Sequence, residues 1–162
     1  MAFHHVAFAT RDLEATHHFY EDLMGFPLVH SELEDRGDDI WMKHVFYDTG
    51  NGECIAFFAF DGIGEQPGYK TDLSESVGVP VWVNHCAFDA TADMQQGLKD
   101  RMSAAGIDPL MELDHGWCHS LYYVDPNGIM VEFCRDNPGF EPDPVTALAR
   151  MREAVGSATA RG

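Results

Sequence analysis

The sequence predicts an α+β fold of two paired βαβββ modules that form a curled mixed sheet around a shared cavity. Three observations predict this fold. A short apolar strand with a central histidine occurs near residue 3 and again near residue 83, a helix with a capping residue follows each strand, and a β-hairpin closes each half. Residues 3–60 and 83–134 contain these elements in the same order, which indicates a duplicated unit.

The length and composition indicate one folded domain. The chain has 162 residues, of which 45% are hydrophobic, and these include 11 phenylalanines. This is enough apolar material for a single core. We expect module one at 1–60, a linker at 61–80, module two at 81–136 and a C-terminal helical extension at 137–162.

The charge and the cysteines restrict the partners and the compartment. With 27 acidic and 10 basic residues the formal net charge is -17, which disfavours nucleic acid as a partner. No apolar run approaches the roughly 20 residues of a membrane helix. We therefore expect a soluble, cytoplasmic protein without membrane contact. The cysteines have no CxxC spacing, so free thiols are expected at Cys54, Cys86, Cys118 and Cys134.

Three helices are predicted from their capping residues. Asp12 begins the first and Gly25 closes it, Thr91 begins the second and Gly106 closes it, and Asp143 begins the third. The third helix either covers its own sheet or forms a dimer contact. We expect a homodimer.

Two hairpins are predicted between and after these helices. The stretch "KHVFYDTGNGECIAFFAF" (43–60) has a Gly/Asn turn between two β-rich runs, and "HSLYYVDPNGIMVEFC" (119–134) turns at DPNG. Residues 61–80 are rich in Gly, Pro and Ser, as a linker would be. The acidic stretch "SELEDRGDD" (31–39) is predicted to be a solvated loop.

The two halves match residue by residue. The strand "FHHVAF" aligns with "VNHCAF", and "FYDTGNGECIAFF" aligns with "YYVDPNGIMVEFC". In this register His5 falls opposite His85, and Glu132 falls opposite Ala56.

Three polar residues interrupt apolar strands at these matched positions. His5 and His85 interrupt the first strands, and Glu132 interrupts the last, where a carboxylate is costly unless it is paired or bound to a metal. If the modules pair about a pseudo-two-fold axis, these side chains converge. Two imidazoles and one carboxylate form the facial triad suited to Fe(II) or Mn(II), and Zn(II) or Ni(II) also accept such ligands. Each histidine taken alone is better explained as a core residue satisfied by backbone carbonyls.

With these residues in place, the chain resembles the vicinal oxygen chelate superfamily, which includes glyoxalase I, extradiol dioxygenases, fosfomycin-resistance proteins and bleomycin-binding proteins. The resemblance is carried by "HHVAFATRDLEATHHFYEDLMGF", "VNHCAF" and "SLYYVDPNGIMVEF". It implies metal ligands at His5, His85 and Glu132. The fourth ligand position of the family falls on Ala56, which has no donor atom.

The three-ligand pattern resembles that of the extradiol dioxygenases, which implies Fe(II), O2 and a catechol-like or vicinally oxygenated small molecule. Those enzymes carry a tyrosine ten residues before the glutamate ligand, and Tyr122 stands there. They also use nearby histidines to move protons. His119 is our first choice for this role, and His115 and His44 are further candidates.

Two other functions stay open on the sequence. One is a lyase or isomerase of the glyoxalase type, which Ala56 disfavours because that type uses all four ligand positions. The other is a non-catalytic protein that binds a drug or metabolite, as bleomycin-resistance relatives do, and the retained ligand-type residues disfavour it. Cys134 shares a strand face with Glu132 and is expected to be a small buried filler.

Overall fold

The computed structural model describes residues 2–64 and 68–154. Parts of the predicted linker (65–67) and of the predicted C-terminal extension (155–162) lie outside these residues. The strands are β1 His5–Ala9, β2 Leu28–Gly37, β3 Ile40–Gly50, β4 Glu53–Asp61, β5 His85–Asp89, β6 Met111–Asp114, β7 Cys118–Val124 and β8 Met130–Asp136. The helices are α1 Leu13–His17, which continues as a π-helix over His18–Leu23, a 3-10 turn Glu75–Val77, α2 Ala92–Ala104 and α3 Pro144–Arg152.

The strands form two open four-stranded sheets with the same topology. Their orders are β1-β4-β3-β2 and β5-β8-β7-β6, with β1 parallel to β4, β5 parallel to β8, and the other pairs antiparallel. The pairing also repeats residue by residue: Ala56 pairs with Ala7 and Phe46, and Glu132 pairs with Ala87 and Tyr122. This confirms the predicted α+β class.

The helices begin where the sequence predicts. Asp12 accepts a hydrogen bond from the Ala15 N–H at 2.9 Å, and Thr91 accepts one from the Met94 N–H at 3.2 Å. Asp143 caps α3 in the same way. Within the described ranges, no helix has the length and apolar character needed to cross a membrane. The homodimer stays a prediction.

The acidic stretch at 31–39 differs from the sequence prediction, because most of it is strand rather than loop. β2 extends through Gly37, and the chain turns at Asp38 and Asp39, which both have positive φ. β2 is an edge strand that pairs only with β3, and all ten of its residues are exposed. Its backbone is therefore paired while its charged side chains stay in water, so apolar alternation is not required.

One core joins the two modules. Tyr20 and Phe57 of module one pack in the same cluster as Leu121 and Val131 of module two. Polar contacts cross the boundary as well: the Tyr20 hydroxyl donates to Asp125 Oδ2 at 3.0 Å, Asn127 Nδ2 donates to Thr16 Oγ1 at 3.2 Å, and Arg101 Nε donates to the Leu23 carbonyl at 2.7 Å. The modules are thus held in a fixed relation to each other.

Candidate metal centre

Glu132 is a buried carboxylate at the middle of the second sheet. It lies on β8, which runs between β5 and β7, and it is only 6% exposed. Its Oε1 accepts a 2.9 Å hydrogen bond from the hydroxyl of Tyr122, the residue directly opposite on β7. Its Oε2 lies 3.0 Å from His85 Nε2. The fold therefore brings together three of the residues that the sequence singles out.

The orientation of His85 favours a cation beside Glu132. His85 Nδ1 lies 2.9 Å from the Trp82 carbonyl, which can only accept a hydrogen bond. The Nδ1 proton is donated there, so Nε2 is the atom that faces Glu132 Oε2. A ring nitrogen and a carboxylate oxygen this close need a proton or a metal between them. Two ligand atoms at right angles, each roughly 2.1 Å from an ion, lie about 3.0 Å apart, so the pair fits a divalent metal.

Tyr122 is held protonated beside this pair. Burial, together with the hydrogen bond to Glu132, raises the pKa of Tyr122 to about 12. Its oxygen lies 2.9 Å from His115 Nε2. Because the Tyr122 hydroxyl donates to Glu132, its oxygen accepts from His115. His115 is exposed, just before β7. Hydrogen-bonded groups therefore connect the buried carboxylate to the solvent.

His119 does not reach this site. It stands three residues before Tyr122 on β7, so strand alternation turns its side chain to the opposite face. There its Nε2 lies 3.4 Å from Glu112 Oε1. The histidine on the site face is His115, which was a further candidate from the sequence. Alternation along β7 excludes His119 from the face of Tyr122, whereas His115 reaches the Tyr122 hydroxyl from the turn before β7, where alternation does not apply.

His5 lies at the matching position of module one, among different neighbours. Its Nδ1 lies 2.8 Å from His4 Nδ1, and its ring centroid lies 5.4 Å from that of Phe46 and 6.0 Å from that of His44. The donor atoms of His5 do not form a cluster with those of His85 and Glu132. In the part of the chain that the structure describes, only Cys118, Glu132 and Cys134 bring three metal-type donor atoms within 4.8 Å of one another.

A cavity of about 310 Å³ lies where the edges of the two sheets approach each other. Val6 and Cys54 line it from module one, and His85 and Ala87 line it from module two. Cys54 is the β4 partner of His5, so the first strands of both sheets, β1 and β5, border the same space. The edge strands that carry His5 and His85 are therefore neighbours.

The two modules present different chemistry at equivalent positions. The counterpart of Glu132 is Ala56, and the counterpart of Tyr122 is Phe46. His44 stacks on Phe58 with a centroid distance of 3.6 Å beside this Phe46 ring. Module one thus offers an aromatic wall, and module two offers the acid and hydroxyl groups.

Comparison with known proteins agrees with this architecture. The model of the Glyoxalase/Bleomycin resistance protein/Dioxygenase superfamily matches residues 2–133. The chain is 36% identical over 120 residues to biphenyl-2,3-diol 1,2-dioxygenase 2 of Rhodococcus globerulus, a match that covers 70% of this chain. It spans only 60% of the length of that relative.

Solved structures share the fold at lower identity. A glyoxylase/bleomycin resistance protein/dioxygenase domain from Frankia sp. EAN1pec matches 86% of this chain and 95% of its own, with a TM-score of 0.63 and 19% identity. A lactoylglutathione lyase from Agrobacterium tumefaciens matches 86% of this chain and 98% of its own, with a TM-score of 0.57 and 22% identity. A fosfomycin resistance protein from Listeria monocytogenes matches 85% and 95%, with a TM-score of 0.57 and 18% identity.

The superfamily typically binds a divalent metal, which agrees with the donors at His85 and Glu132. With its family model matched over residues 2–133, the chain belongs to the Glyoxalase/Bleomycin resistance protein/Dioxygenase superfamily.

Proposed function

We propose that the chain is a metal-dependent dioxygenase of the extradiol type, which uses Fe(II) and O2 on a catechol-like or other vicinally oxygenated small molecule. The observation that carries the proposal is the contact of one buried carboxylate, Glu132, with both the His85 imidazole and the Tyr122 hydroxyl. The relative with biphenyl-2,3-diol dioxygenase activity supports the same reaction class.

In this proposal His85 and Glu132 hold the ion from module two. His5 stands at the matching position of module one, and its side chain must turn from His4 toward the ion to complete the set. When bound, Fe(II) supplies Lewis acidity toward two adjacent substrate oxygens and redox chemistry toward O2. Ala56 offers no fourth ligand, so coordination positions stay open for the substrate. That gap favours a dioxygenase over a lyase or isomerase of the glyoxalase type.

The residues of the chain then manage the protons. Tyr122 stays protonated at neutral pH, and its one O–H is donated to Glu132 Oε1 in the structure. Turning that proton from Glu132 to a substrate oxygen would let Tyr122 donate to the substrate. His115 contacts the Tyr122 oxygen and reaches solvent, so it can pass a proton between the two. We therefore assign the proton-transfer role to His115 in place of His119, which lies on the other face of β7.

Metal analysis tests the ligand set. Protein purified without oxygen and supplied with Fe(II) is expected to hold about one iron per chain, and Glu132→Gln is expected to lose it because the anionic ligand is gone. Glu112→Gln is the matched control, since Glu112 pairs with Lys99 and His119 away from the site. Iron in all three proteins, or in none, would contradict the ligand set. An oxygen electrode with catechols then distinguishes a dioxygenase from a lyase, which consumes no O2.

Tyr122→Phe tests the chemical role apart from metal binding. The variant is expected to keep its iron and to lose kcat by roughly 10²-fold, since a positioned donor is removed. Tyr123→Phe is the control, because the buried Tyr123 hydroxyl on the opposite face has no hydrogen-bond partner among the described residues. If Tyr122→Phe turns over substrate as fast as Tyr123→Phe, Tyr122 has no catalytic role.

A further inference from the structure

A second group of potential metal ligands lies beside Glu132. The two sulfur atoms of Cys118 and Cys134 and a carboxylate oxygen of Glu132 all lie within 4.8 Å of one another. Cys118 is fully buried and Cys134 is half-buried, and both are free thiols. Neither cysteine has a part in the proposed dioxygenase site.

The register explains how these donors converge. Cys134 is paired with Ser120, and Cys118 is paired with Asp136, so the two thiols are diagonal neighbours on the face that carries Glu132. The Ser120 hydroxyl lies 3.5 Å from the Cys118 sulfur and adds one more polar group to the cluster.

The cluster belongs to module two alone. By the same register, the module-one positions that correspond to Cys134 and Cys118 are Phe58 and Met42. A thioether and a phenyl ring do not form a comparable pair of anionic ligands. The thiol pair is therefore a local property of β7 and β8 and is not a consequence of the repeat.

We propose that Cys118, Cys134 and Glu132 form a binding site for a thiophilic divalent cation such as Zn²⁺ or Cd²⁺. Sulfur ligands select soft and borderline metals over Fe(II) or Mg²⁺, and a carboxylate is an accepted third ligand for zinc. On binding, each thiol releases its proton to solvent, so the two thiolates balance the charge of the cation and the carboxylate leaves the site with one net negative charge.

This site shares a ligand with the proposed iron centre. A cation held by the two sulfurs draws the Glu132 carboxylate toward β7 and away from His85 Nε2, which lies only 3.0 Å from it in the structure. One carboxylate cannot serve both positions fully, so a thiophilic metal weakens Fe(II) binding. Only this antagonism rests on the proposed function, whereas the thiolate site itself rests on the geometry of β7 and β8.

Titration of the metal-free full-length protein with Cd²⁺ tests the site directly, because thiolate–cadmium bonds give a charge-transfer absorption in the ultraviolet. The wild type is expected to bind one Cd²⁺ per chain with this band. Cys134→Ser and Cys118→Ala are expected to lose most of the band and to bind at least about tenfold more weakly. Cys54→Ser is the control, since Cys54 lies on β4 of module one, and it is expected to match the wild type.

Two outcomes would overturn the proposal. One is a band of wild-type strength in both Cys134→Ser and Cys118→Ala, and the other is an equal loss in Cys54→Ser. Thermal unfolding of each variant identifies any that fails to fold, and Cys134→Ser replaces only a half-buried side chain.

Competition separates this proposal from the proposed reaction. Zn²⁺ added first is expected to lower iron uptake by the wild type but not by Cys134→Ser. A chain that binds no iron, yet shows a cadmium band that depends on the two cysteines, contradicts the dioxygenase and supports the thiolate site. Iron uptake without any such band contradicts the thiolate site and supports the iron centre.

Discussion

At the scale of single residues, His44 is the buried imidazole of the aromatic wall. Its ring stacks on Phe58 at an angle of 13°, and its Nε2 has no hydrogen-bond partner in the described part of the chain. Glu32 lies 3.7 Å from its other nitrogen, which is too far for a hydrogen bond. Burial lowers the pKa of His44, so the ring is held in its neutral form.

This environment predicts a dependence of stability on pH. The unfolded chain takes up a proton at a pKa of about 6.5, above the pKa of the folded state, so the stability contributed by neutral His44 is lost as the pH falls below about 6.5. His44→Phe keeps the stacked ring and removes this titration. The free energy of unfolding of metal-free protein, measured from pH 7 to pH 5, is expected to fall less steeply for the variant. Parallel curves would contradict the assignment.

Some site residues can be recognised from the sequence, whereas others depend on contacts that only the folded structure shows. Glu132 and His85 are predictable because the repeat aligns them with Ala56 and His5, and because a carboxylate in an apolar strand needs partners, whereas Tyr122 is predictable only from the family resemblance. Strand alternation excludes His119, but the contact of His115 with Tyr122 depends on the conformation of the turn before β7, which spacing does not specify. The convergence of Cys118 with Cys134 depends on a diagonal register across a hairpin, which spacing does not specify.

At the scale of elements, the turn before β8 is held more tightly than its counterpart before β4. Gly128 has φ of +78°, and a Cβ added there would lie 2.9 Å from Asp72 Cβ in the linker. Gly52, at the matching position of module one, has φ of +77° and no atom within 4 Å of an added Cβ. The two glycines share the same backbone requirement, but only Gly128 is packed against another segment.

These turns give a matched pair of variants. Gly52→Ala is expected to lower the free energy of unfolding by about 1 kcal/mol through backbone strain alone. Gly128→Ala is expected to cost at least about 1 kcal/mol more, because Asp72 or the hairpin must move. Urea denaturation measures both changes. If the two variants lost the same unfolding free energy, the contact between Gly128 and Asp72 would add no cost, which would contradict this prediction.

The edge strands β2 and β6 are the least predictable part of the fold. The sequence pattern does not indicate β6 and favours a loop over most of β2, because exposed edge strands lack the apolar alternation that marks a half-buried strand. The central strands β4 and β8 are predictable, since they are buried and follow clear turn signals.

At the scale of the whole molecule, a buried polar network joins the modules. Asp125 accepts hydrogen bonds from the N–H groups of Asn127 and Ile129 within its own turn, and from the Tyr20 hydroxyl of the other module. Burial nevertheless raises the pKa of Asp125 above its ordinary value, so each donor matters to this carboxylate.

Tyr20→Phe removes the donor that crosses the boundary and leaves a buried acceptor with one bond fewer. The variant is expected to lose about 1–3 kcal/mol of unfolding free energy while still unfolding in one transition. Tyr123→Phe removes a buried hydroxyl that has no partner among the described residues, and it is expected to change stability by much less. Calorimetry of both variants checks the difference, and a split into two transitions would show that the modules unfold separately.

The unequal walls of the two modules have a consequence for selectivity. A fully two-fold site would accept a flat ligand in either of two orientations related by that axis. Here a carboxylate and a phenol in module two stand where module one has an alanine and a phenyl ring, so the two orientations differ in energy. For the proposed dioxygenase reaction we therefore expect regioselectivity, with attack at one end of a nearly symmetric substrate and not at the other.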